Sequence, residues 1–272
     1  MRLFAFFIAL AFAMGCHESA EETVMPVDIT PADDTPERTP AEVEALTVRV
    51  LNKYPHDTEA FTQGLLWHDG TMYESTGRYG QSSLRRVRLE DGSVLTQRAL
   101  DPELFGEGLA RVEDRLVQLT WRSGIALVSD LDTFEPRDSL RYPGEGWGLC
   151  FDGDALVMSD GSSLLEFRDP ATLELLREVT VFNGTQIVRN LNELECVGDE
   201  VYANVWRRNE ILRIDPRTGR VTAIIDASGL LSLAEAMQAD VLNGIAYKPD
   251  SKTFLLTGKL WPHVFEVELV PR

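Results

Sequence analysis

The stretch LFGEGLARVEDRLVQLTW (residues 104–121) reads as two short strands around a charged turn, ending on a tryptophan. Apolar residues alternate with polar ones on either side of Glu113 and Asp114, the pattern of a half-buried hairpin. A carboxylate, Glu107, stands where the first strand enters the core. Four other segments follow the same plan: TQGLLWHDGTMYEST from Thr62, GWGLCFDGDALVMSD from Gly146, LNELECVGDEVYANVW from Leu191 and LNGIAYKPDSKTFLLTGK from Leu242. Each has a polar or aromatic leading residue, then Gly or Glu, an apolar strand, an Asp- or Gly-rich turn and a second strand. The leading residues are Gln63, Glu107, Trp147, Asn192 and Asn243.

Third and fourth strands recur as well. LLEFRDPATLELLREV and ILRIDPRTGRVTAII are period-two runs joined by Asp-Pro turns, and LRRVRLEDGSVLTQRAL and GIALVSDLDTFEPRDSL are looser copies. Four short strands at a spacing of roughly 40 to 50 residues mark the blades of a β-propeller. A β-sandwich could hold as many strands but leaves the repeated leading motif unexplained. The expected fold is therefore all-β, a five-bladed β-propeller over residues 45–272. Only WPHVFEVEL follows Lys259, one strand where the last blade needs two. ALTVRVLN (residues 45–52) has the alternation of the missing strand and is expected to close the ring, leaving no exposed edge. Ser232 and Glu235 have capping-box spacing, which predicts a short helix between the fourth and fifth blades.

The beginning of the chain has a different character. Residues 1–15 hold one Arg and an apolar run of signal-peptide length, and AMGC ahead of Cys16 resembles a bacterial lipobox. Lipidation of Cys16, with residues 1–15 removed, predicts an exported periplasmic or cell-envelope lipoprotein that meets the membrane only through that anchor. Residues 16–44 read as an acidic, Pro-rich disordered tether: residues 17–44 carry nine carboxylates against one Arg, with four prolines. Such a stretch buries too little apolar area to offset its ordering entropy. The chain carries formal net charge −18. No basic stripe is present that could neutralise phosphates, so nucleic acid is excluded as a partner. A monomer is expected.

In a propeller the leading positions ring one mouth of the central channel, and the second-strand ends Thr76, Trp121, Asp160, Trp206 and Lys259 stand beside them. The repeat thus gathers Gln63, Glu107, Asn192, Asn243, Lys259 and the tryptophans 121, 147 and 206 into one pocket, flanked by Phe61 and Phe105. Indole rings around Glu107 raise a carboxyl pKa by desolvation, while the Lys259 ammonium lowers it. A group so placed can exchange protons near neutral pH. The same Glu could instead bond backbone amides of the next blade as a structural residue. The four His (17, 56, 68 and 263) are scattered, so neither metal nor other cofactor is expected. Cys150 and Cys196 lie near matching points of adjacent inner strands, offset by one residue. That offset turns their side chains to opposite faces and predicts two separate buried thiols. Asp160 and Thr76 are expected to cap loops.

The motifs FTQGL (61–65), YESTGRYGQSSLRRV (73–87), FGEGL (105–109), LTWR (119–122), LNELE (191–195), ANVW (203–206), LNGIA (242–246) and TGKLWP (257–262) resemble, in order, the plant and bacterial type of glutaminyl-peptide cyclotransferase. That resemblance covers residues 48–269 and implies a five-bladed propeller that cyclises the N-terminal Gln of peptides or proteins to pyroglutamate with loss of ammonia. It implies Glu107 as the catalytic acid-base. It implies Phe61, Gln63, Phe105, Trp121, Trp147, Asn192, Trp206 and Lys259 as the substrate-binding lining, with peptides or proteins bearing N-terminal Gln as partners. The competing reading is a non-catalytic periplasmic propeller, a binding or assembly module using the channel mouth or rim. A lactonase-like calcium propeller fits less well, because three tryptophans leave little room for converging oxygen ligands.

Overall fold

The computed structural model describes residues 42–272. The expected signal peptide, the lipidation of Cys16 and nearly all of the acidic tether lie outside the described residues. Within them the regular secondary structure is almost wholly strand, with one short helix, Leu233–Ala236.

Three four-stranded antiparallel meanders stand as separate sheets. They are Thr62–His68, Thr71–Thr76, Ser83–Val87 and Val94–Ala99; Gly106–Val112, Arg115–Thr120, Ile125–Asp130 and Pro136–Arg141; and Leu149–Phe151, Leu156–Met158, Leu164–Arg168 and Leu175–Thr180. A fourth meander, Leu191–Val197 through Val221–Asp226, belongs to an eight-stranded sheet whose other half runs Leu242–Lys248, Thr253–Gly258, His263–Pro271 and Glu44–Pro55. The strand expected over residues 45–52 is this last one. It pairs antiparallel with His263–Pro271, from Leu46 opposite Pro271 to Pro55 opposite His263. Its first residues also pair in parallel with Val221–Asp226, Glu44 opposite Ala223, a join that the repeat did not announce.

Tight turns set the hairpins. At Asp69-Gly70 both residues have positive φ (46° and 75°), the conformation that a two-residue link between right-twisted strands requires. At the Asp-Pro turns the aspartate side chain caps the loop: Asp169 Oδ1 accepts from the amides of Ala171 and Thr172 at 2.8 and 2.9 Å. Asp160 caps its loop in the same way, accepting from the Ser162 amide at 2.9 Å. In the helix, the Ser232 side chain accepts from the Glu235 amide while the Glu235 carboxylate accepts from the Ser232 amide, the reciprocal box read from the sequence.

Burial falls off along each of the three separate meanders. Gly106–Val112 is almost wholly buried, whereas Val94–Ala99 and Pro136–Arg141 are almost wholly exposed. The buried first strands pack against one another in a closed cycle: Thr62–His68 on Gly106–Val112, then Leu149–Phe151, Leu191–Val197, Leu242–Lys248 and back. Glycine permits that approach. A Cβ on Gly64, Gly108 or Gly148 would lie 2.6, 2.5 or 2.0 Å from backbone atoms of the next first strand. The fourth strand has Glu193 at this position. Its buried carboxyl reaches across the ring to accept from the Leu65 amide at 3.2 Å and the Ile245 amide at 2.8 Å. Apolar clusters fill the spaces between sheets. Cys150, Val157, Leu165 and Phe167 of one meander meet Leu194, Val201, Ala203 and Leu212 of the next.

That layering overturns the expectation of two free thiols: Cys150 and Cys196 form a disulfide, with Cα atoms 5.5 Å apart. The one-residue offset does turn the two side chains to opposite faces of their own sheets. Because neighbouring meanders stack face to face, opposite faces of adjacent sheets point at each other. Leu149 faces the preceding sheet, in the cluster with Leu119 and Ala126, so Cys150 faces the following one.

Candidate active site

The leading residues of the first strands and the residues just beyond the second strands meet at one mouth of the ring, around a cavity of about 440 Å³. Its lining contains Phe61, Gln63, Phe105, Glu107, Trp121, Trp147, Asn192, Trp206 and Lys259, every side chain singled out in the sequence for catalysis or substrate contact. Asn243 is the exception. It is fully buried behind Gln63, and its Nδ2 donates to Gln63 Oε1 at 3.2 Å and to the Thr62 carbonyl at 3.0 Å. Thr76 is also buried outside the cavity, its hydroxyl bonded to Ser83 at 2.8 Å. The residue that matches Trp121 and Trp206 in hydrogen bonding is its neighbour Gly77, whose amide donates to the Phe61 carbonyl as the Trp121 amide does to Phe105.

Glu107 is 4% exposed. Gln63 Nε2 donates to Glu107 Oε1 at 2.9 Å, so Asn243, Gln63 and Glu107 form an amide relay that fixes which carboxyl oxygen faces the protein. Burial pushes the Glu107 carboxyl well above the usual carboxylate range; the Lys259 ammonium pulls it back and Glu145 adds to the rise. Lys259, 6% exposed, is shifted the opposite way: burial lowers its pKa, against the pull of Glu107 and Asp240. Its Nζ lies 4.9 Å from the centre of the Phe61 ring.

The aromatic wall is a chain of edge and tilted contacts. Phe61 meets Phe105 edge-on at 6.2 Å, Phe105 meets Trp121 at 5.6 Å, and Trp147 meets Trp206 edge-on at 5.8 Å. One group that sequence reasoning missed ties two of these rings. Glu145 Oε2 accepts from Trp121 Nε1 at 2.7 Å and from Trp147 Nε1 at 3.1 Å, while Oε1 accepts from Arg122 Nε at 2.9 Å. These donors hold its carboxyl below the usual range against the opposing effect of burial. A signal for it existed. Glu145 stands two residues before the leading Trp147, the position that Phe61 and Phe105 occupy before Gln63 and Glu107. Arg122, Arg207 and Asp240 complete the lining, and none was singled out for it.

The site therefore offers a buried, protonatable carboxyl with one oxygen held by an amide, an ammonium nearby, and a cup of indole and phenyl rings clipped by a carboxylate. Such a cup can hold a small polar head in a curled conformer and move a proton within it. Among the described residues no three His, Cys, Asp or Glu side chains converge as metal ligands.

Known proteins resemble this chain in sequence and fold. The family model for glutamine cyclotransferase matches residues 22–269. A glutaminyl-peptide cyclotransferase of Arabidopsis thaliana is 41% identical over 229 residues, covering 82% of this chain and 71% of that protein. The crystal structure of Myxococcus xanthus glutaminyl cyclase superposes with a TM-score of 0.78 at 41% identity, covering 85% of this chain and 100% of that one. With the motif order, the propeller-like all-β fold and the match over most of its length, this chain belongs to the glutamine cyclotransferase family.

Proposed function

We propose that the protein is a glutaminyl-peptide cyclotransferase in which Glu107 carries the proton. The activity is that of its family: the α-amine of an N-terminal Gln attacks the side-chain amide carbon, a five-membered lactam forms, and the amide nitrogen leaves as ammonia. One C–N bond forms and one breaks, and one proton passes from the attacking nitrogen to the leaving one. No oxidant, metal or second substrate is needed for that balance.

The observation that carries this reading is the state of Glu107. Burial raises the pKa of this carboxyl well above the usual carboxylate range, which favours its protonated form, and it lines the cavity with Oε1 engaged by Gln63. Glu107 donates that proton to the leaving nitrogen and regains one from the attacking amine, acting as acid and base in a single turnover. The aromatic cup holds the glutamine side chain curled, which supplies the entropic part of the barrier. Lys259 and Asn192 face the developing oxyanion, where one donor contributes a few kcal/mol. Gln63 orients Glu107, since its amide is already committed there.

The finer architecture belongs to the same reading. Five blades are supported by the closed cycle of first strands. The helix Leu233–Ala236, which lies in the chain between Val221–Asp226 and Leu242–Lys248, sits between the fourth and fifth blades. Residues 1–15 act as a signal peptide and 16–44 as a tether, and Cys16 carries the lipid of an exported, monomeric envelope protein.

Glu107→Gln tests the role. Ammonia release from a Gln-initiated dipeptide should fall by about a thousandfold, within the range of general acid-base contributions, while the thermal unfolding midpoint stays at or above wild type. A variant that cyclises at near the wild-type rate removes Glu107 from the chemistry.

A further inference from the structure

Resting on the cyclotransferase reading, we propose that an arginine collar at the cavity mouth selects substrates whose glutamine is followed by acidic residues. Two residues beyond the second strands Thr71–Thr76, Arg115–Thr120 and Glu200–Val205 stand Arg78, Arg122 and Arg207, at equivalent turns of the repeat. Each guanidinium lies on an aromatic ring of the cavity wall. Arg78 is 4.7 Å from the centre of Phe61, Arg122 3.8 Å from that of Trp121 and Arg207 4.3 Å from that of Trp206. Stacking leaves the planar donor edge of each guanidinium available for a carboxylate, which it can bind with two parallel hydrogen bonds.

The turns that carry Arg78 and Arg207 share a backbone conformation. Arg78 and Arg207 have φ of 85° and 65°, in the left-handed region where a side chain is disfavoured and glycine is the natural occupant. The equivalent turn after Asp160 does use glycine, Gly161, with φ of 81° and Trp147 packed directly against it. The turn after Thr253–Gly258 takes the same conformation with a leucine, Leu260 at φ of 61°, so the left-handed backbone belongs to the turn, and what Arg78 and Arg207 add to it is charge.

The charges facing the collar support the selection. Arg122 is paired with Glu145. Among the described residues, neither Arg78 nor Arg207 has a carboxylate within ion-pair distance; Arg207 lines the cavity with Asp240, and Arg78, on the outer side of Phe61, lines the adjoining groove with Glu59 and Glu235. Two guanidiniums without a carboxylate partner, Arg207 exposed and Arg78 half-buried, are set against the sign of a protein of net charge −18. The peptide that enters Gln-first must leave the cavity past them, so the residues after its glutamine meet the collar.

The test uses the whole protein and three C-terminally amidated peptides, Gln-Glu-Glu, Gln-Gln-Gln and Gln-Lys-Lys, followed by ammonia release. The expected kcat/KM for the acidic peptide exceeds that for the basic one by about fivefold, the scale of two exposed ion pairs, with the difference mainly in KM. In the double variant Arg78→Gly/Arg207→Gly, which suits the left-handed backbone and should unfold no earlier than wild type, the ratio should fall to near one. A wild-type ratio of one or below, or a ratio that the double variant leaves unchanged, overturns the collar while turnover of Gln-Gln-Gln upholds the activity. Absence of ammonia from all three peptides overturns the cyclotransferase reading and the collar with it.

Discussion

Replacing Glu145 separates the cage from the proton carrier. Its carboxylate receives two indole N–H groups on one oxygen and Arg122 on the other. Glu145→Ala removes all three bonds. Hydrogen bonds to a charged acceptor contribute about 1.5–3 kcal/mol each, and the partial exposure of this carboxylate places its two indole bonds at the lower end, about 3 kcal/mol together. Released from the clip, Trp121 and Trp147 no longer hold the cup in one geometry, and kcat/KM should fall by roughly a hundredfold. Glu145→Gln keeps an oxygen for the indoles but loses the charge, which roughly halves each bond, so the loss should be about tenfold. The second readout is electrostatic. Glu145 raises the Glu107 pKa, so removing its charge must move the limb of the pH–rate profile that reports Glu107 to lower pH. Steady-state cyclisation of a Gln-initiated dipeptide between pH 5 and 10 gives both quantities. If Glu145→Ala stays within threefold of wild type, or that limb does not move in Glu145→Gln, the clip has no part in the reaction.

The channel makes a separate prediction about stability. Burial raises the Glu195 carboxyl to about 8, although it accepts from the Tyr247 amide at 2.7 Å. Between about pH 4.5 and 8 the native state keeps a proton that the unfolded chain has released, so stability declines as pH rises, by up to about 1.4 kcal/mol per unit for this one group. Buried Glu193 and Glu107 act in the same direction. Guanidinium unfolding at pH 5 and pH 8 should show the loss, and Glu195→Gln should flatten it; an equal slope in the variant refutes the assignment. The Cys150–Cys196 link closes a 46-residue separation, worth about 4 kcal/mol by loop entropy. Reduction should lower the thermal midpoint, and alkylation without reduction should leave both cysteines unlabelled; labelled peptides at both positions would rule the bond out.

Much of the site was legible in one dimension because a repeat converts sequence period into radial position. Gln63, Glu107, Trp147 and Asn192 share a cavity since each heads a first strand, and Trp121, Trp206 and Lys259 join them since each follows a second strand. Asn243 obeyed the same rule and still fell outside the cavity, because side-chain packing let Gln63 stand in front of it. Periodicity assigns a residue to a ring, but depth within the ring depends on the neighbours.

What the chain alone determined was therefore periodic and local: alternating strands, Asp-capped turns, the Ser232–Glu235 box and the order of residues around the mouth. What only the tertiary structure decided was relational. Whether Cys150 meets Cys196 depends on sheets stacking face to face. That Glu145 clips two indoles, and that Glu193 bonds strands from two other meanders, depends on distances across the ring. Such contacts join residues with no shared period, so no pattern along the chain encodes them. They arise when burial leaves a polar group only the partners that packing brings within reach.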